Sequence, residues 1–238
     1  MIRFQDVFFS YEKDETVLKE IDIEFSPGLT LLLGPNGCGK STLLKLAAGV
    51  ERLDSGHITI DGHDLWKDEV KARKSITYLP EQPDLTPYAT LNEILDLVCR
   101  LRGEPLENGR EALRFFGLQQ VSRRTVRELS MGQRRRAVFA ASFIGSPKNI
   151  LLDEPLEGMD RNIKKEILEW ISRQVKSDAL VLLVSHNIEP FISLTSEAVT
   201  IKDGKAIHFK KLPENLDKGL ALMEDLSRGK SPKNETGS

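Results

Sequence analysis

The nine residues from Gly34 to Thr42, GPNGCGKST, constrain this chain more than any other stretch. An apolar run, Leu29-Thr30-Leu31-Leu32-Leu33, precedes them and reads as a short buried strand. Leu43 to Ala48 follow as a helix, with no breaker until Gly49. Strand, glycine-rich loop and helix in this order form the setting in which the pattern G-x-x-x-x-G-K-[ST] cradles phosphate. Gly34, Gly37 and Gly39 let the backbone curl so that successive N–H groups converge on an anion, and the helix adds its positive end. Lys40 is expected to reach the β- and γ-phosphates and Ser41 to ligate Mg²⁺. The pattern points to a nucleoside triphosphate.

With 238 residues, one large or two small domains fit, and a sizeable core can be buried. A formal charge of -2 gives no overall field toward phosphate backbones, so nucleic acid is not expected as the partner. The run Arg134-Arg135-Arg136 reads as a solvated helix face. Two cysteines, Cys38 and Cys99, make no disulfide framework and fit a reducing compartment. Charges at Arg3 and Asp6 fall where a signal peptide needs apolar residues. No apolar run approaches the length needed to cross a bilayer. A cytosolic chain is expected, held at a membrane only through something else.

The first sixty residues alternate like antiparallel strands, with Ile21, Ile23 and Phe25 on one face. His57 to Ile60 reads as a strand closed by Asp61-Gly62. Tyr11, placed between two such strands, serves either to stack on a flat ring or to pack the sheet. Ser75 to Leu79 is a further strand, ending at Pro80-Glu81-Gln82-Pro83, where two prolines forbid helix or central strand. From Thr90 to about Gly145 only helical pieces are expected: one opened by a Thr90–Glu93 capping box, one over Glu111–Phe116 stopped by Gly117, and one after Ser130 with Ala137, Ala140, Ala141 and Ile144 on one stripe. The α/β pattern resumes with Asn149 to Pro155, a helix over 161–176, the strand Ala179 to Val184 and a 199–207 hairpin on Asp203-Gly204. Leu216, Leu220 and Met223 predict a short amphipathic helix, and Lys230 to Ser238 a disordered end.

Three strand ends therefore converge on the phosphate loop and carry Gln82, Asp153-Glu154 and His186, because open α/β sheets bind ligands at that edge. Asp153 is placed to hold Mg²⁺ directly or through water. Glu154 is a candidate to orient the attacking water; its aim depends on whether it has already left the strand. His186 either donates to a γ-phosphate oxygen or is an ordinary structural histidine. Leu129-Ser130-Met131-Gly132-Gln133 places an N-cap serine and a glycine at a helix start. Alone it is a plain cap; beside the phosphate loop it makes a second anion-binding helix end, as in a site shared by two molecules.

These residues, in this order, resemble the ATP-binding subunit of an ATP-binding-cassette (ABC) transporter over residues 1–210. GPNGCGKST resembles the Walker A loop, Gln82 the Q-loop, LSMGQ the signature motif, ILLDEP the Walker B strand with its glutamate, EGMD ending at Asp160 the D-loop, and His186 the switch histidine. The resemblance implies an α/β P-loop NTPase (RecA-like) fold: a parallel-sheet core with an antiparallel β subdomain (1–81 and 147–211), an inserted α-helical subdomain (82–146) and a 212–238 tail. It implies ATP and Mg²⁺ as cofactors, with Ser41, Gln82 and Asp153 at the metal. Tyr11 would stack on adenine, and Gly34, Pro35, Asn36, Gly37, Cys38, Gly39, Lys40, Ser41 and Thr42 would wrap the phosphates. Glu154, His186, Lys40 and Gln82 would carry catalysis. Ser130, Gly132, Gln133 and Asp160 would reach nucleotide from a second ATPase subunit paired head to tail. A separate transmembrane permease would hold the pair at the cytoplasmic face of the membrane, its helix entering the groove at the root of the insertion. Met131 stands where the family has glycine, which implies either altered geometry or a weakened site. The segment ITYLPEQPDLTPYATLNEIL resembles an exporter branch that includes antibiotic-efflux and self-immunity ATPases. The competing readings are a soluble ABC-type ATPase of repair or translation and a nucleotide kinase. Relatives of the first usually carry long coiled-coil insertions or two tandem cassettes, for which this chain with one of each motif leaves no room; the second has no use for LSMGQ.

Overall fold

The computed structural model describes residues 1–13, 15–82, 85–145, 147–213 and 215–230. Two sheets organise them. β1 (Ile2–Glu12), β2 (Glu15–Phe25), β4 (Ser55–Ile60) and β5 (His63–Asp64) form an antiparallel sheet in the order β2-β1-β4-β5. The phosphate-loop strand β3 (Gly28–Leu33) leaves it and lies in a second sheet with β6 (Ile76–Leu79), β7 (Asn149–Asp153), β8 (Leu180–Val184), β9 (Thr195–Lys202) and β10 (Lys205–Phe209). That sheet has the order β10-β9-β3-β8-β7-β6, parallel throughout except for the β9–β10 hairpin. The expected antiparallel character of the first sixty residues thus stops at β2, then resumes with β4.

Parallel strands covered on both faces read as unbroken apolar runs, and their alternation divides the core in two. Leu29, Leu31, Leu33, Ile150, Leu152, Val181 and Leu183 face one hydrophobic cluster, shared with the helical block. Leu32, Leu151, Leu180, Leu182 and Val184 face the other, filled by α1 (Lys40–Ala48) and the antiparallel sheet. A short helix, α2 (Glu69–Lys74), leads into β6. Both Asp-Gly turns bring two consecutive residues to positive φ, Asp61 and Gly62 at 50° and 82°, Asp203 and Gly204 at 52° and 80°. That is the hairpin geometry their sequence predicts. Tyr11 lies inside β1, not between strands.

Between β6 and β7, the extended pairing among the described residues is a single bridge, Thr90 to Thr125. The block consists of α3 (Leu91–Arg102), α4 (Leu106–Phe115) and α5 (Met131–Phe143), with short 3-10 turns at Gln119–Val121 and Val126–Glu128. The Thr90–Glu93 capping box is present. α4 begins at Leu106, five residues before the expected start at Glu111. Gly109 lies inside this helix, where a Cβ would come within 3.3 Å of the Cys99 sulfur and 3.4 Å of Leu95 Cβ. Close packing of α3 on α4 wants a glycine there. On α5, Ala137 and Ala140 are buried, but so are Val138, Phe139 and Ser142, so the helix is enclosed more widely than one stripe.

α6 (Arg161–Lys176) matches its predicted span. α7 (Leu216–Ser227) exists, though it buries Met223 and Leu226 and leaves Leu216 exposed. Pro83 and the expected disorder over 231–238 lie outside the described residues. Among the described residues no helix is long and apolar enough to cross a membrane.

Candidate functional site

A cleft of about 440 Å³ opens at the carboxyl ends of β3, β7 and β8. The phosphate loop forms its floor. Asn36, Gly37, Gly39, Lys40, Ser41 and Thr42 line it, while Gly34, Pro35 and Cys38 shape the turn behind. Gly34 has a φ of 135°, and a Cβ there would meet the Cys38 sulfur at 2.8 Å; Gly39, at 110°, would strike Leu18 at 2.9 Å. Neither position admits a side chain. Gly39 caps α1 without a side-chain acceptor, so the first N–H groups of that helix stay available to an anion. Lys40 Nζ donates to the carbonyls of Gly34 at 2.8 Å and Pro35 at 2.9 Å, which holds the cation at the loop's mouth.

Asp153 ends β7 and is only 2% exposed. Burial pushes its carboxyl above the usual range, against a hydrogen bond from the Ser41 side chain. Its buried Oδ1 has no hydrogen-bond partner. An orphaned carboxylate oxygen beside a serine hydroxyl and a phosphate loop fits a hard divalent cation. Among the described residues, no three His, Cys, Asp or Glu side chains cluster to hold a metal. The other ligands of such an ion would come from phosphate and water, as Mg²⁺ prefers.

Glu154 has left the strand. Its φ is 49°, a left-handed conformation uncommon for a side-chain-bearing residue. The turn sends its carboxylate toward the end of β8. There Oε1 accepts from the backbone N–H of His186 at 2.7 Å, and Oε2 accepts from Ser185 Oγ at 3.3 Å. Burial raises the Glu154 carboxyl, with the His186 charge and these hydrogen bonds working the other way. The His186 ring is largely exposed and lies 3.7 Å from Oε1.

Tyr11 stands on the cleft wall, half exposed, edge-on to Phe9 at 4.8 Å and hydrogen-bonded to Thr42 at 3.2 Å. It packs the sheet and faces the cleft at once.

Gln82 departs from expectation: it is exposed and does not line the cleft, whereas Glu81 does. The Glu81 carbonyl is taken by Arg135 at 3.0 Å, which sets how the loop turns. Glu15 and Val17, at the start of β2, also line the cleft and went unnoticed in the sequence; no short-range signal marks them.

Ser130, Gly132, Gln133 and Asp160 do not line it either. Ser130 caps α5 in a reciprocal box, its N–H donating to Gln133 Oε1 at 2.9 Å and its Oγ accepting from the Gln133 N–H at 3.2 Å. Met131 is 71% exposed. A Cβ on Gly132 would meet nothing within 4 Å. Asp160 caps α6 through the N–H groups of Asn162 and Ile163.

Comparison with known proteins agrees with this geometry. Residues 18–157 match the family model described as ABC transporter. A Pyrococcus horikoshii protein, provisionally named as an ABC transporter ATP-binding protein, is 30% identical over 234 residues, covering 94% of this chain and 90% of its own. The Fe(3+) ions import ATP-binding protein of Vibrio cholerae is 33% identical over 195 residues, 79% of this chain. The present chain spans 55% of that relative's length. Among solved structures, the ATP binding subunit of an ABC transporter superposes with a TM-score of 0.80 at 24% identity, over 88% of this chain and 90% of that one. A dimeric ATP-binding cassette bound to ADP and phosphate, in a post-hydrolysis state, gives 0.77 at 24% identity, over 88% and 98%. The chain belongs to the ABC transporter family. Within it, this is the ATP-binding subunit, an ATPase that uses ATP with Mg²⁺.

Proposed function

We propose that this chain is the motor of a membrane transporter, pairing head to tail with a second ATPase subunit around two ATP molecules and driving a separate transmembrane permease. One observation carries the pairing: the Ser130 helix tip lies outside the cleft of its own chain and ends in an exposed Met131 and an unobstructed Gly132. A capped helix tip that faces outward, away from its own chain's cleft, fits a nucleotide held by a neighbour. ATP then adds contacts that exist only in the closed pair and shifts the open–closed equilibrium by that difference.

Within each site the residues divide the work. Tyr11 stacks on adenine, the loop from Gly34 to Thr42 wraps the phosphates, and Lys40 offsets their charge. Ser41 and Asp153 would hold Mg²⁺, which supplies further charge neutralisation on the phosphates. Glu154 orients the attacking water and accepts its proton. His186 reaches a γ-phosphate oxygen from its exposed ring. Gln82, assigned to the metal and to catalysis by the resemblance, would have to swing toward the cleft with the 81–82 loop to act there. Ser130, Gly132, Gln133 and Asp160 act on the neighbour's nucleotide.

In this reading residues 1–211 are the ATPase domain, 82–146 the helical part that meets the permease, and 212–238 a tail. The subunit sits at the cytoplasmic face of the membrane through that permease. The exporter resemblance gains no support from the relatives named for a cargo, which import Fe(3+) ions, molybdenum and spermidine or putrescine. The proposal therefore stays with the motor.

Glu154→Gln tests it. The variant should bind ATP normally, lose nearly all turnover and elute as an ATP-dependent dimer. A monomer that still hydrolyses at full rate would overturn the reading.

A further inference from the structure

Three consecutive arginines follow the Ser130 cap, and they do different things. Arg134 donates to the carbonyls of Val126, Arg127 and Leu129, and Arg136 to that of Phe116, all within the helical block. Arg135 crosses out of it. Its side chain is 12% exposed, and Nη1 donates to the Glu81 carbonyl at 3.0 Å. Nη2 donates to the backbone carbonyl of Glu154. The Glu157 carboxylate lies 3.8 Å from Nη1. One guanidinium thus joins α5, the loop after β6 and the turn after β7.

The chemistry suits that place. A planar fork with several fixed donors can span two carbonyls, which a single ammonium cannot do as well. Its hydrogen bonds are charge-assisted. One of them falls on the residue whose left-handed backbone, at a φ of 49°, needs its surroundings to hold it. The carbonyl of Glu154 is held by Arg135, while its carboxylate is held by Ser185 and His186. The peptide and the side chain are pinned from opposite ends.

We propose that Arg135 is a positioning residue for hydrolysis, holding the Glu154 turn and the Glu81 loop in register with α5. A displacement of the Ser130 helix tip is passed through it to the Glu154 carboxylate. α5 is a continuous helix with Ser130 as its cap and Arg135 within its second turn, so engagement of a neighbour's nucleotide moves both. Each chain's Glu154 thereby responds to the site its own Ser130 touches, not only to the nucleotide in its own cleft. This inference rests on the reading of Glu154 as the water-orienting group.

The test compares Arg135→Gln and Arg135→Lys with the full-length native chain, measuring kcat and KM for ATP, binding of a fluorescent ATP analogue, and Tm. Arg135→Gln should lower kcat about tenfold or more, less than the roughly 100- to 10,000-fold of removing a general base outright, because Glu154 is still present but poorly aimed. KM and analogue binding should stay within about twofold, because Arg135 touches none of Lys40, Ser41 or Tyr11. Arg135→Lys should recover part of kcat. A merely structural role would instead lower Tm and weaken nucleotide binding along with turnover, and that result overturns the proposal. So does a kcat within about twofold of native in Arg135→Gln, or in Arg135→Lys should the glutamine variant not fold. Glu154→Gln in the same assay separates the two readings. If it retains turnover, the role of Glu154 fails; if it loses turnover while both Arg135 variants do not, the inference alone fails.

Discussion

The backbone N–H of His186 and its ring both face one oxygen of Glu154, the first donating at 2.7 Å and the second lying 3.7 Å away. The main-chain N–H, which survives any substitution except proline, holds the carboxylate in place; the ring is an additional group. His186→Ala should therefore keep Glu154 where it is and lower kcat by about 10- to 100-fold through loss of the ring's own contact. Glu154→Gln should cost more than this. Steady-state ATPase rates at saturating ATP decide, and a histidine variant as dead as the glutamine one would refute the ranking.

Gly132 has no positive φ, and a methyl group there meets nothing in its own chain. Gly132→Ala should leave the monomer as stable as before, or slightly more so, because alanine is the better helix former by up to about 1 kcal/mol. ATP-driven dimerisation and turnover should nonetheless fall, since the methyl group occupies space a neighbour's nucleotide needs. Unchanged Tm with unchanged turnover would count against the two-chain site.

Cys38 bears on the phosphate loop through its reactivity. Burial pushes its thiol above the ordinary cysteine value, outweighing the opposing Lys40 ammonium. The thiolate is the nucleophile, so below that raised value its fraction grows about tenfold with each pH unit. Modification by a maleimide should be slow at pH 7, accelerate steeply toward pH 9, and be suppressed by Mg-ATP. Cys99 is fully buried and does not compete. A rate that stays flat with pH, or that ignores nucleotide, would contradict this placement.

Phe116 anchors the helical block. It is fully buried and meets Phe115, Phe143 and Phe139 at ring-centroid distances of 5.0, 4.8 and 6.0 Å. Phe143 in turn stacks on Trp170 of α6 at 4.2 Å, which ties the block to the core. Phe116→Ala should destabilise the chain by about 3–5 kcal/mol. Urea denaturation measures it, and a loss below about 1 kcal/mol would remove Phe116 from the core.

What short stretches of chain dictate was legible from the start. The Thr90–Glu93 box, the Ser130 cap, the two Asp-Gly turns and the strand–loop–helix around Gly34 to Thr42 each close within a few residues. Their geometry follows from backbone conformation and nearby side chains alone. The order of the motifs also sufficed to identify the family.

Contacts across the chain decided the rest. Gly109 could continue α4 only because α3 packs against it. Glu81, not Gln82, turned into the cleft where Arg135, 54 positions away, takes its carbonyl. Glu154 left the strand in a left-handed turn that Arg135 holds from α5 and Ser185 and His186 hold from the stretch after β8. A residue whose local preference opposes its conformation carries no sign of it in sequence. The partners that make the conformation worthwhile come together only when β6, β7, β8 and α5 have packed.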